Sequence, residues 1–182
     1  MRTISDHILD ILENSVRASA NLIEIMITES KNSDLYTVEI RDDGCGMTPE
    51  TAKKALEPFF TSRTTRKVGL GLPFLKQNAE QAGGLMKIDS VPGKGTVVRA
   101  TFGLTHIDRP GLGDMATVFL LSVIGHPGIR IKYKHTTENG TFAISSEEIK
   151  EVLGNVPLHS AELRQAIKEL INNNLEMIQA LK

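Results

Sequence analysis

The chain has 182 residues, of which 40% are hydrophobic and 24% charged, with a formal net charge of −1. This is an ordinary globular composition with no bulk attraction to nucleic acid or to an anionic membrane. A single cysteine excludes an internal disulfide, and the absence of a Cys cluster argues against a structural zinc site. Apolar runs such as ATVFLLSVIG are too short to span a membrane and the opening residues do not read as a signal peptide, so the expected setting is the cytoplasm.

Residues 5–18 carry Ile8, Ile11, Leu12 and Val16 at helical spacing, and Ser5 or Asp6 is the expected cap. IEIMITE (23–29) and LYTVEIR (35–41) alternate like strands, and SKNSD between them predicts an antiparallel hairpin. Thr48 and Pro49 open a short helix. Residues 61–68, TSRTTRKV, have no apolar period and are expected to form a mobile loop. GLGLPFLKQNAEQAGG then reads as a glycine-flanked loop feeding a helix that stops at Gly83 and Gly84. LMKIDSV and TVVRATF are two more strands about a PGKG turn.

Strands arriving in hairpin pairs among helices predict an α+β two-layer sandwich, with a mixed, largely antiparallel sheet covered by helices on one face. The expected division is a domain over 1–104, a Pro/Gly linker at 105–114, and a small C-terminal α+β segment over 115–182. That segment is expected to hold an apolar helix (116–124), a hairpin around TENG and a long helix from about Ser160.

Four features carry possible chemistry. IRDDGCGM ends a strand on Asp42 and Asp43, then removes side chains at Gly44 and Gly46, which suits either a tight surface turn or close approach of a ligand to backbone. On the first helix His7, Asp10, Asn14 and Arg17 share a face. That face is either simply solvated or holds an amide oxygen for Mg²⁺ and an acid to orient water. VGLGLPF places Gly69 and Gly71 at a helix entrance, where main-chain N–H groups favour an anion, though glycine there also relieves sterics. GKGT by itself is an ordinary hairpin turn.

Taken in order, LDILENSVRASA, DDGCGM, EPFFTSR, GLGL and GKGT resemble the N box, first glycine box, phenylalanine box, second glycine box and glycine-threonine motif of one superfamily. This is the ATP-binding domain shared by DNA gyrase B, Hsp90, histidine kinases and MutL. The resemblance covers roughly residues 4–102 and implies a Bergerat-type fold binding ATP with Mg²⁺. It implies that Asp42 accepts from the adenine 6-amino group, with Thr96 supporting Asp42 directly or through a water. A carboxylate facing guanine O6 would set two acceptors against each other. Gly44 and Gly46 would clear space for the nucleotide, with Met47 and Phe60 in the flanking boxes. Asn14 would ligate Mg²⁺, and Gly69, Leu70, Gly71 and Leu72 would cradle the phosphates beneath a lid at 61–68. Arg63, Arg66 and Lys67 would either neutralise phosphate or keep that loop soluble.

The chain departs from the hydrolysing branches where they place Glu one turn before the N-box Asn. Here Asp10 stands there, one methylene shorter, so ATP binding is more secure than fast hydrolysis. Asp43 is expected to be an exposed turn residue, and Cys45 a buried or half-buried filler. His126, His135 and His159 have ordinary surface or cap readings.

The motifs begin near Met1, with no room for a phosphoacceptor hairpin ahead of them; His106 in HIDRP lies in the linker. The segment beyond residue 104 is short for a gyrase-type transducer. The sequence therefore points to a stand-alone regulatory kinase or nucleotide switch on a partner protein, as in two-component signalling or the anti-sigma factors, with a partner or dimer surface after residue 115. Alternatives are an ATPase subunit of a larger machine and a DNA-binding regulator through the C-terminal helices. Charge disfavours the second: 145–182 hold Lys150, Arg164, Lys168 and Lys182 against Glu147, Glu148, Glu151, Glu162, Glu169 and Glu176.

Overall fold

The computed structural model describes residues 3–57, 71–153 and 160–181. Helix α1 (Ile4–Arg17) begins one residue before the expected span because Thr3, not Ser5 or Asp6, is its cap. Thr3 Oγ1 accepts from Asp6 N at 3.3 Å while Asp6 Oδ2 accepts from Thr3 N at 3.1 Å. This reciprocal box needs an acid three residues after the cap, which Asp6 supplies to Thr3. Two further orphan N–H groups of α1 are taken by the stretch at 105–114, as Ile4 N donates to Gly111 O and Ser5 N to Leu112 O.

The strands are β1 (Leu22–Ser30), β2 (Leu35–Asp42), β3 (Met86–Val91), β4 (Gly95–Gly103), β5 (Arg130–Thr137) and β6 (Gly140–Ser145). They form one sheet in the order β3-β4-β2-β1-β5-β6. Among the described residues only the β1–β5 pairing is parallel. Alternation puts Ile23, Ile25 and Ile27 of β1, Tyr36, Val38 and Ile40 of β2, Val98, Ala100 and Phe102 of β4, and Ile131 and Tyr133 of β5 on one buried face. The other helices are α2 (Pro49–Lys54), α3 (Gly71–Gln81), α4 (Met115–Gly125), α5 (Ser146–Leu153) and α6 (Ala161–Met177).

The C-terminal segment adds its two strands to this same sheet, with Ile131 opposite Ile23 and Tyr133 opposite Ile25. Helix α4 is apolar nearly all round and is buried accordingly, touching α1, α6 and β5. The core is thus continuous from the first helix to the last.

One histidine expectation is corrected. His135 is fully buried on the inner face, where Nε2 meets Glu29 Oε1 at 2.8 Å and Nδ1 meets Tyr133 Oη at 2.8 Å. The β1–β5 register places it opposite Ile27, so it cannot reach the surface. Leu181 N also donates to Glu29 Oε1, at 2.9 Å, tying the end of the chain to this cluster. Burial, with Tyr36 and Glu29 adding to it, pushes the Tyr133 hydroxyl well above its ordinary range. Among the described residues no helix is long and apolar enough to cross a membrane.

Candidate functional site

The last residue of β2, Asp42, points to the inner side at the sheet end nearest α1. Its Oδ2 accepts from Ser15 Oγ at 2.8 Å, and Oδ1 accepts from Gly44 N at 3.0 Å and Thr96 N at 3.2 Å. Ser15 reaches it from the buried side of α1, and Thr96 from β4 through the Asp42–Thr96 register pair. Thr96 thus contacts Asp42 by main chain, while its hydroxyl meets Ser90 Oγ at 2.8 Å. Ser90 Oγ also accepts from Met47 N at 2.8 Å, fixing the far end of the glycine turn. A carboxylate has about four lone-pair sites. Three are used here, so Asp42 is held rigidly yet keeps acceptor capacity.

The glycines of this turn are required by the chain's own packing. A Cβ at Gly44 would come within 2.8 Å of Ala18 Cβ, and one at Gly46 within 2.0 Å of Val91 O. Gly46 also has φ +64°, which a side chain strains. Cys45 between them is exposed, contrary to the filler reading, because its N–H and C=O are spent on Ala18 O and Gly93 N and its side chain turns outward. Asp43 is exposed as expected but not idle: Oδ1 accepts from Asn21 N and Leu22 N at 2.7 and 2.8 Å, anchoring the start of β1. Slight burial opposes ionisation, but these main-chain donors and Arg130 outweigh it and hold the carboxyl below its usual range.

On the outward side of the same strand ends, Glu24, Arg41, Asp89, Lys94 and Val97 help line a cleft of about 340 Å³. Asp42 and Thr96 are also among its lining residues.

The polar face of α1 stands beside Asp42. Asn14 Nδ2 donates to Asp10 Oδ2 at 3.4 Å, and Asn14 Oδ1 accepts from the exposed Arg17 at 3.0 Å. Asp10 reaches across to the first residue of α3. A Cβ on Gly71 would lie 1.8 Å from Asp10 Oδ2, so this glycine is what lets the carboxylate lie against the helix entrance. Leu72 packs partly against the core. The structure therefore brings together Asp10, Asn14 and Gly71, and separately Asp42, Gly44, Gly46, Met47 and Thr96, on either side of the α1 C-terminal half. Phe60, Arg63, Arg66, Lys67, Gly69, Leu70 and His159 lie outside the described residues. Sequence reasoning missed Ser15 and Ser90; the only signal was a small hydroxyl beside Asn14 and another opposite Thr96.

A six-stranded mixed sheet with helices on one face is an α+β architecture, and it leaves the held carboxylate of Asp42 at a strand end and Asp10 and Asn14 on the first helix. A family model described as histidine kinase-, DNA gyrase B-, and HSP90-like ATPase matches residues 2–106, and the chain belongs to that family. It is similar to a putative sensor protein of Shewanella frigidimarina, 32% identical over 103 residues, covering 56% of this chain and 16% of that protein. It is also similar to the cell-division control histidine kinase PdhS of Brucella anthropi, 34% identical over 121 residues, covering 58% of this chain and 11% of the kinase. The chain thus spans a small fraction of these relatives. A solved N-terminal domain of a DNA repair protein shares the fold, with TM-score 0.57, 17% identity, and coverage of 79% of this chain and 52% of that one.

Proposed function

We propose that this site takes Mg-ATP and that the chain acts as an ATP-dependent regulator of a partner protein, either as a nucleotide switch or as a protein kinase. The observation that carries the proposal is the Asp42 carboxylate, fixed by Ser15, Gly44 and Thr96 with acceptor capacity remaining. Such a group recognises an exocyclic amino group and disfavours a carbonyl in the same place. With the base's 6-position facing Asp42, the adenine amino group fits where guanine O6 does not.

The remaining residues divide the rest of the nucleotide among them. The eleven-residue α3 begins at Gly71 with no acid in its first turn, so main-chain N–H groups at its entrance suit phosphates, and Gly69 and Leu70 ahead of it would extend that cradle. Asn14 Oδ1 is the oxygen for the metal, released when the exposed Arg17 swings away. One protein oxygen suits Mg²⁺, which keeps waters and takes its other ligands from phosphates. Bound there, Mg²⁺ would neutralise phosphate charge. Among the described residues no group of three His, Cys, Asp or Glu side chains could hold a metal without the nucleotide. Asp10, at the α3 entrance, is placed to orient a water or an incoming hydroxyl near the terminal phosphate. Phe60, Met47 and a lid at 61–68 bearing Arg63 would complete the enclosure.

The named sensor and histidine kinase relatives support the regulatory reading, in which the γ-phosphoryl group passes to a partner side chain and ADP departs. We assign residues 1–104 to nucleotide binding and residues 115–182 to the partner or dimer surface. Titration calorimetry with Mg-ADP and Mg-GDP tests the core of the proposal. Adenine-selective binding that falls about 10- to 100-fold in Asp42→Asn supports it. Equal binding of both bases overturns it.

A further inference from the structure

We propose that His7 is a positioning residue for the nucleotide site: its buried imidazole joins α1 to α3 and sets how Asp10 and Asn14 stand relative to the α3 entrance at Gly71. The proposal rests on the nucleotide reading above. His7 lies on the same α1 face as Asp10 and Asn14 and is 1% exposed. An aliphatic side chain would fill the space without desolvating polar nitrogens, so packing alone does not account for histidine here. Its Nε2 meets Asn78 Nδ2, two turns into α3, at 2.9 Å. Its Nδ1 is buried and, among the described residues, makes no well-formed hydrogen bond, although the Gly71 backbone faces the ring, and a polar atom left in that state calls for a reason.

The geometry supplies one. Asp10, one turn further along α1, rests its carboxylate on Gly71, the first residue of α3. The two helices therefore meet at His7–Asn78 and at Asp10–Gly71, and the first contact fixes the spacing of the second. With Asn78 Nδ2 donating, Nε2 is the acceptor and the ring proton sits on Nδ1. Protonation would add a second N–H facing the Asn78 amide and break that contact unless Asn78 turns. Burial, with the positive amino terminus adding to it, holds the imidazole below its ordinary 6.5, against Asp6, Asp10 and the Gly71 backbone. The charged side chains of α3, Lys76 and Glu80, pair with each other. The neutral form is thus the one that braces the helices.

The test uses His7→Leu, which keeps volume, and His7→Gln, which keeps hydrogen bonding but cannot titrate. Affinities for a non-hydrolysable Mg-ATP analogue and for adenosine are measured at about pH 7.5 and about pH 5.5. We expect His7→Leu to bind the analogue roughly tenfold more weakly at the higher pH while adenosine binding is unchanged, since only the phosphate and metal end is misplaced. His7→Gln should bind like wild type there and lose part of the acid-side weakening, the remainder belonging to the phosphates. Wild-type affinity in His7→Leu, or equal loss in both variants, overturns the proposal. Should wild type bind no adenine nucleotide, the functional reading fails, and His7 is judged by NMR of the nucleotide-free protein. The Gly71 and Leu72 amide signals must then shift with the His7 ring titration and not in His7→Gln; signals indifferent to it overturn the assignment.

Discussion

Ser15 Oγ donates to Asp42 Oδ2 at 2.8 Å across the α1–β2 junction, a pairing of residues 27 positions apart. It turns a strand-end carboxylate into a fixed group, because the two main-chain N–H donors hold only Oδ1. Ser15→Ala leaves Oδ2 able to rotate without removing it. A hydrogen bond to a charged group contributes about 1.5–3 kcal/mol, so adenine nucleotide affinity should fall roughly tenfold, less than in Asp42→Asn. Titration of both variants with Mg-ADP checks the order, and a Ser15→Ala affinity equal to wild type would remove Ser15 from the site.

Metal dependence isolates Asn14. Among the described residues its amide bonds only Asp10 and an exposed Arg17, so Asn14→Ala should cost little stability, about 0.5–1 kcal/mol. The gain in ATP affinity on adding Mg²⁺ should vanish. Asn14→Asp should keep part of that gain, because an oxygen ligand remains. Paired calorimetric titrations with Mg²⁺ and with EDTA report this directly. A preserved Mg²⁺ effect in Asn14→Ala would place the metal elsewhere.

Much of this arrangement was legible in the sequence because local periods encode it. The α1 stripe, the two hairpins, the Thr48 cap and the α3 stop at Gly83 all follow from spacing and turn residues within a few positions. The parallel pairing of β1 with β5 was not legible, since it joins residues more than a hundred positions apart. The same register buries His135, which no local pattern distinguishes from a surface histidine. Ser15 and Ser90 escaped notice for a related reason: a hydroxyl acquires meaning only from the partner that tertiary structure brings to it.

Asp43 makes stability depend on acid in a defined direction. Its carboxyl in the folded chain sits below the ordinary value of 3.8 because Leu22 and Asn21 donate to it. The unfolded chain therefore binds more protons in that window, and the stabilisation is complete above 3.8 and fades as pH falls through the folded value. The stability gap between wild type and Asp43→Ala should be constant above about pH 5 and shrink below about pH 4. Urea melts across that range measure it. A gap that persists unchanged into acid would mean the carboxylate charge is irrelevant to the anchor.

At the other end of β1, Glu29 lies six residues beyond Ile23, the partner of Asp42, which is roughly 20 Å along a strand. Removing His135 deprives a buried Glu29 oxygen and the Tyr133 hydroxyl of a hydrogen-bond partner, which typically costs about 1–3 kcal/mol for each group left unsatisfied. His135→Ala should therefore unfold at markedly lower urea while the folded fraction binds Mg-ADP as wild type does. A loss of nucleotide affinity at unchanged stability would show instead that the cluster communicates with the site.

The contact of Asp10 with Gly71 bears on whether the shorter acid limits turnover. Gly71→Ala would put a methyl group 1.8 Å from Asp10 Oδ2, so the carboxylate must leave its position and its contact with Asn14. Because the clashing atoms belong to the end of a side chain that can turn away, and alanine suits a helix better than glycine, the net loss should be small, under about 1 kcal/mol. Asp10→Ala in the same chain should recover part of that loss, with a coupling of about 0.5–3 kcal/mol expected of touching residues. Thermal melts of the two single variants and the double variant give the coupling, and strict additivity would contradict the contact. The same geometry decides the outcome of Asp10→Glu. Lengthening the side chain restores the acid of the hydrolysing branches in name, but the aspartate already reaches the α3 backbone and an added methylene has no further room along that line. Asp10→Glu should therefore not raise ATP turnover and should weaken nucleotide binding. A large gain in phosphate release from Asp10→Glu would mean that α1 and α3 can separate, and that the missing methylene alone had kept hydrolysis slow.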